Sequence, residues 1–163
     1  MPKSALQKKD VEIRRIRKSD QATLLEFFAQ LVFCGLDRTF HPHSFTEEVA
    51  YKICTQRMRD WYAGVFLQQS RLRTMVAYVM LRGWDAGYEV PSFGLCVLPD
   101  YQRVGLGRLL LEYAVMVARF RGSPAVRLKV YPDNIRAVEM YRAYGFQYNN
   151  DLENGQLVGY FRF

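Results

Sequence analysis

The chain has 163 residues, half of them hydrophobic and 15% aromatic, with a formal net charge of +7. That length suits one domain, and that composition supplies a core and excludes a disordered chain or one with a membrane span, since no apolar run reaches the ~18 residues a span needs. The positive charge favours an anionic partner, but the basic residues are spread out with no block of five or six, which argues against nucleic acid as that partner.

The opening stretch MPKSALQKKD (1–10) is basic with no apolar segment behind it. It reads as a flexible, solvated leader rather than a secretory signal, and a cytoplasmic location is expected. Residues 11–163 show no repeat, low-complexity tract or linker and are expected to form a single domain. Val11–Arg17 is strand-like. A helix follows over SDQATLLEFFAQLVF, with Ser19 or Asp20 as N-cap and Leu24, Phe27, Phe28 and Leu31 at helical spacing. Ser44 and Glu47 stand in capping-box spacing and predict a second helix. Three strands are expected at Trp61–Gln68, Thr74–Leu81 and Glu89–Leu98, joined by turns in antiparallel fashion. Gly107–Arg119 then has helical spacing and ends at Gly122 and Pro124. AVRLKVY is a further strand, NIRAVEMYRAYG a short helix closed by Gly145, and two short strands at Phe146–Tyr148 and Leu157–Phe163 finish the chain. The order predicts an α/β (α+β) fold with a mixed, mostly antiparallel sheet flanked by helices.

Cys34, Cys54 and Cys96 form no C-x-x-C pair, and an odd count without a secretory signal argues against disulfides. The only two histidines, His41 and His43, fall in FHPHSF; H-x-H without a third ligand at convincing spacing gives no metal site. The alternatives for this segment are acceptor binding, base work or a proline-stiffened turn.

The segment with the clearest chemistry is DYQRVGLGRLLLEY (100–113). A strand, a short turn with Gly105 and Gly107, and a helix bring successive N–H groups and the positive end of a helix dipole together, the layout of a pyrophosphate site. Leu110 stands where the dinucleotide fingerprint needs glycine, and no G-K-[ST] follows, so neither that motif nor a P-loop is present. A tight strand-to-helix turn is the alternative.

The hexapeptide QRVGLG (Gln102–Gly107) resembles the [Q/R]-x-x-G-x-[G/A] acyl-CoA signature of the GNAT superfamily of N-acetyltransferases. VYPDNIRAVEMYRAYGF (130–146) resembles that superfamily's second signature, an asparagine opening a helix and a tyrosine before a G-F pair. The order of elements over 11–163 matches as well. The resemblance implies a GNAT-like fold and acetyl-CoA as co-substrate, with no metal. It implies that Leu95, Cys96 and Val97 offer their backbone to the pantetheine arm. Gln102, Arg103, Val104, Gly105, Leu106, Gly107 and Arg108 would hold the pyrophosphate, and Asn134, Ala137 and Tyr141 would complete the site. Tyr141 would protonate the leaving sulfur. Glu89, His43 and His41 are candidates for taking the amine's proton. Trp84, Asp85 and Tyr88 are candidates for acceptor contact. The function implied is direct acetyl transfer to a primary amine of a small molecule, an amino sugar among the candidates. The alternatives are a non-catalytic acyl-CoA-binding module and acetylation of a protein amine. No membrane or nucleic-acid partner is expected, and a homodimer is compatible with the sequence.

Overall fold

The computed structural model describes residues 10–163. It contains seven strands and four helices: β1 (Asp10–Arg15), α1 (Gln21–Phe33), α2 (Glu47–Thr55), β2 (Trp61–Gln69), β3 (Leu72–Arg82), β4 (Ser92–Val97), α3 (Leu106–Phe120), β5 (Ala125–Val130), α4 (Ile135–Tyr144), β6 (Gln147–Tyr148) and β7 (Leu157–Arg162). The strands form one sheet in the order β1-β2-β3-β4-β5-β7-β6. Every neighbouring pair is antiparallel except β4 and β5, which run parallel.

Both faces of the central strands are covered, which is why β2 and β3 read as near-continuous apolar runs. On one face Ala63, Val65, Val79 and Leu81 pack with Leu110, Ala114 and Ala118 of α3 and Val138 of α4. On the other Tyr62, Phe66, Tyr78 and Met80 pack with Leu24, Phe27, Phe28 and Leu31 of α1 and with α2. Successive side chains of a strand point to opposite faces, so one sequence run serves both cores.

Local determinants differ from the sequence reading in three places. Asp20 precedes α1, but its carboxylate caps nothing there. It is fully buried, takes two hydrogen bonds from Arg14 at 2.6 and 2.9 Å and accepts the Arg17 N–H at 2.7 Å. Thr46, not Ser44, caps α2, its hydroxyl accepting from the Val49 N–H at 3.3 Å. β4 begins at Ser92 rather than Glu89, because residues 83–90 are held as a loop: Asp60 Oδ1 accepts the Gly83 and Asp85 N–H groups, while Asp85 accepts those of Arg59 and Asp60. The expected leader lies outside the described residues except for Asp10, which pairs with Gln68 in β1.

Candidate active site

The parallel pair β4–β5 is in register at only two positions, Ser92↔Arg127 and Phe93↔Leu128, although each strand has six residues. Beyond Phe93 the strands part and leave a cleft. The Leu98 N–H bonds to the Val76 carbonyl on the β3 side, whereas the Pro91 carbonyl accepts from Arg127 on the β5 side. By the two-residue alternation of a strand, Leu95 and Val97 direct their peptide groups into the cleft while Cys96 directs its own to β3. Gln102 Nε2 occupies the Val97 carbonyl at 2.9 Å. The remaining edge, Leu95 N–H and C=O with Val97 N–H, has the form that an extended ligand pairs with as an added strand.

At the mouth of the cleft the chain turns through Pro99–Tyr101 and enters α3 at Leu106. Arg103 and Gly105 have positive φ, +64° and +92°. Gly105 is the N-cap of α3 and offers no side-chain acceptor. Among the described residues, the N–H groups of Arg103 through Arg108 have no protein acceptor; the first helical bond runs from Leu109 to the Gly105 carbonyl. Six consecutive unpaired donors at the positive end of a 15-residue helix make an anion cradle. They open onto a cavity of about 260 Å³ lined by Arg103, Arg108 and Arg136, by Leu95 and Met140, and by no carboxylate. Arg108 is also paired at 3.0 Å with Glu112 one turn on.

Asn134 caps α4, its Oδ1 accepting from the Ala137 N–H at 3.3 Å, and both residues line this cavity and a deeper one of about 160 Å³. Tyr141 lies where the two meet. Its ring packs edge-on against Phe93 and tilted on Phe146, and burial pushes its hydroxyl well above the ordinary phenol range, so it stays protonated at neutral pH. Cys96 lines the deeper cavity, but burial pushes its thiol up to about 12, which removes it as a thiolate nucleophile.

On the other side of the sheet a third cavity, about 320 Å³, shares Thr39, Phe40, Phe93, Gly94 and Lys129 with the deeper one. His41 lines it and pairs through Nε2 with the Tyr131 hydroxyl at 3.0 Å, and Tyr131 lines the deeper cavity. His43 is not at these walls. Its Nδ1 faces the Ser44 carbonyl at 2.8 Å and must donate; its Nε2, 2.8 Å from the Tyr78 hydroxyl, then accepts. Burial lowers its pKa to about 4. Glu89, exposed in the loop before β4, lines an open cavity that adjoins the third one through Arg82, Ser92 and Arg127. Trp84 is buried, not exposed for stacking: its indole N–H donates to Ser123 Oγ at 3.2 Å under the Arg121 guanidinium. Asp85 is spent on the two N–H groups named above, and Tyr88 is 67% exposed.

The model of the Acetyltransferase (GNAT) family matches residues 32–146, more than two thirds of the chain. The chain belongs to the GNAT family. It is 41% identical over 58 residues to the [ribosomal protein bS18]-alanine N-acetyltransferase of Escherichia coli K12, and 33% identical over 60 residues to the spermine/spermidine N(1)-acetyltransferase of Bacillus subtilis 168. These alignments cover 36% of this chain in both cases, and 39% and 40% of the relatives, so the chain spans about two fifths of their length. The PaiA N-acetyltransferase of Thermoplasma acidophilum, solved in complex with coenzyme A, superposes with a TM-score of 0.72 at 18% identity, covering 94% of this chain and 99% of that one.

Residues that the sequence did not single out also line these cavities. Tyr131 lines the deeper, inner cavity, Arg82 and Arg127 the third, outer one, and Lys129 both. Arg127 and Lys129 are two apart in AVRLKV, the polar phase of a strand whose other phase is buried. That alternation was visible, but which face would carry a cavity was set by helices distant in sequence.

Proposed function

We propose that this protein transfers the acetyl group of acetyl-CoA directly to a primary amine of a small molecule, an amino sugar being one candidate. The observation that carries the reading is the run of unpaired N–H groups from Arg103 to Arg108, opening onto a cavity continuous with the unpaired β4 edge. Those donors suit a pyrophosphate, and the Leu95 and Val97 peptide groups suit the amide-bearing arm behind it. Asn134 and Ala137 stand beside that arm's path. Bound acetyl-CoA supplies an activated thioester, whose acyl group passes to the amine as the thiol leaves.

The chain's own residues manage the protons. Tyr141, kept protonated by burial, donates from its hydroxyl to the departing sulfur. The Val97 N–H, directed into the cleft, is the donor placed to polarise the acyl oxygen. Of the candidate bases, His41 is best situated. With Nδ1 protonated, its Nε2 accepts from the Tyr131 hydroxyl, and a proton taken up by the Tyr131 oxygen passes along that 3.0 Å bond to the imidazole. His43 has both ring nitrogens engaged, and Glu89 lines the open cavity of the loop 83–90. Cys96, held as a thiol by burial, is not the nucleophile, which fits direct attack by the amine.

Calorimetric titration with CoA, followed by assay of free-thiol release from acetyl-CoA across a panel of amines, tests this reading. Thiol release that requires an amine, with the N-acetyl product identified by mass spectrometry, is expected. Binding of CoA without thiol release from any amine would instead make the chain an acyl-CoA-binding module.

A further inference from the structure

The acceptor side of the cleft has one sign of charge. Arg82, Arg127 and Lys129 line the outer cavity, Lys129 also lines the inner one, and no aspartate or glutamate lines either. Glu153 offsets part of this charge, pairing with Arg127 and with Lys129 Nζ, the latter at 2.7 Å. Arg82 has no carboxylate within ion-pair distance among the described residues. One of its nitrogens donates to the Pro42 carbonyl, while Nε is buried without a partner. Asp60, Asp85, Glu89 and Glu153 line an adjoining open cavity that shares Arg82, Ser92 and Arg127 with the outer one; Asp60 and Asp85 there accept backbone N–H groups. A half-buried guanidinium without a direct ion pair attracts a planar or tetrahedral anion and repels a cation.

Resting on the acetyltransferase reading above, we infer that the preferred acceptor carries an anionic group, carboxylate or phosphate, close to its amine. Arg82 and Lys129 hold the anion in the outer cavity, and the amine points past Gly94 toward Tyr131 and Tyr141. The same cationic surroundings disfavour the ammonium form of the acceptor and favour the neutral amine that can attack, in a site where no carboxylate stands ready to take the proton. Polyamines, which carry only positive charge, are disfavoured substrates.

The test is a set of matched amines: glucosamine 6-phosphate against glucosamine, glycine against glycinamide, and spermidine as the cation. Thiol release gives kcat/KM for each. The anionic member of at least one pair should exceed its neutral counterpart by about tenfold or more, the usual value of a hydrogen bond to a charged group. The phosphate and carboxylate arms show which anion the site takes. In Arg82→Gln that ratio should fall toward one, and Arg82→Lys should keep part of it. Lys129→Gln should lower it as well, independently of any folding defect at Arg82; CoA titration and a thermal melt check each variant. A preference for spermidine or for the neutral members, or a ratio unchanged in both Gln variants, would overturn the inference while leaving acetyl transfer intact. Thiol release with none of the amines, despite CoA binding, would remove the acetyltransferase reading and this inference with it.

Discussion

Lowering the pH from 7 to 5 probes the environment of His43. The ring packs on Phe28, Phe45 and Tyr78 and makes one hydrogen bond from each nitrogen, the second accepting from a fully buried tyrosine hydroxyl. Protonation would turn that acceptor into a donor facing a donor, and it would place charge in an apolar layer near Arg82. The folded pKa is therefore lowered from 6.5 to about 4, chiefly by burial. Below pH 6.5 the unfolded chain takes up a proton that the folded chain refuses until about pH 4, so stability falls as pH falls through that window. Integrating between the two pKa values from pH 7 to pH 5 gives a loss of about 2 kcal/mol, with a ceiling of about 3 kcal/mol once both forms are protonated. The carboxylates with lowered pKa, Glu12, Asp20, Glu48, Asp85 and Glu153, lose their contributions progressively from about pH 5 downwards, so the comparison of pH 7 with pH 5 reads His43 before they titrate. Urea unfolding at both pH values reads the loss. His43→Phe should be weaker at pH 7 by about 1–3 kcal/mol, because the Tyr78 hydroxyl loses its partner, but it should lack the wild-type acid sensitivity. Equal wild-type stability at both pH values, or an NMR titration of His43 near neutrality, would refute the reasoning and restore His43 as a candidate base.

Other perturbations isolate single features. Gly105→Ala meets no atom within 4 Å, so its cost is the positive φ alone, about 1 kcal/mol in urea unfolding, with a weaker CoA affinity by calorimetry as the loop shifts. Asp20→Asn strips the charge from a fully buried partner of Arg14 and should lower stability by about 3 kcal/mol without changing the CoA cavity, measured by unfolding and calorimetry together. Tyr131→Phe and His41→Ala break the same hydrogen bond, so they should lower kcat by similar factors of about tenfold or more and alter the pH–rate profile alike. A double variant should add little to either.

The parts of the site legible in the sequence are those where the backbone acts through local spacing. Gly105, at positive φ, caps the helix that starts at Leu106, with Gly107 in its first turn, and the free donors belong to consecutive residues, so the cradle is contained within one stretch of chain. Asn134 and Tyr141 are likewise fixed by one helix. The proposed acceptor side is assembled from β3, β5 and the segment around His41, and nothing local marks Arg82 or Tyr131 as neighbours of the cleft. Trp84 illustrates the same limit: its aromatic, loop-like context suggests exposure, yet Ser123 and Arg121 at the end of α3 bury it. Glu89 belongs to β4 by sequence pattern, but the reciprocal hydrogen bonds of Asp60 and Asp85 hold residues 83–90 as a loop, a contact across more than 20 residues.

The central claim is that acyl transfer occurs where the two cavities meet beneath Tyr141, and Tyr141→Phe tests it most directly. The substitution removes one oxygen from a buried ring that packs on Phe93 and Phe146, so folding and CoA affinity should change little. Turnover on any accepted amine should fall about 100-fold, within the usual contribution of a positioned acid. Turnover equal to wild type, with CoA still bound, would contradict the account.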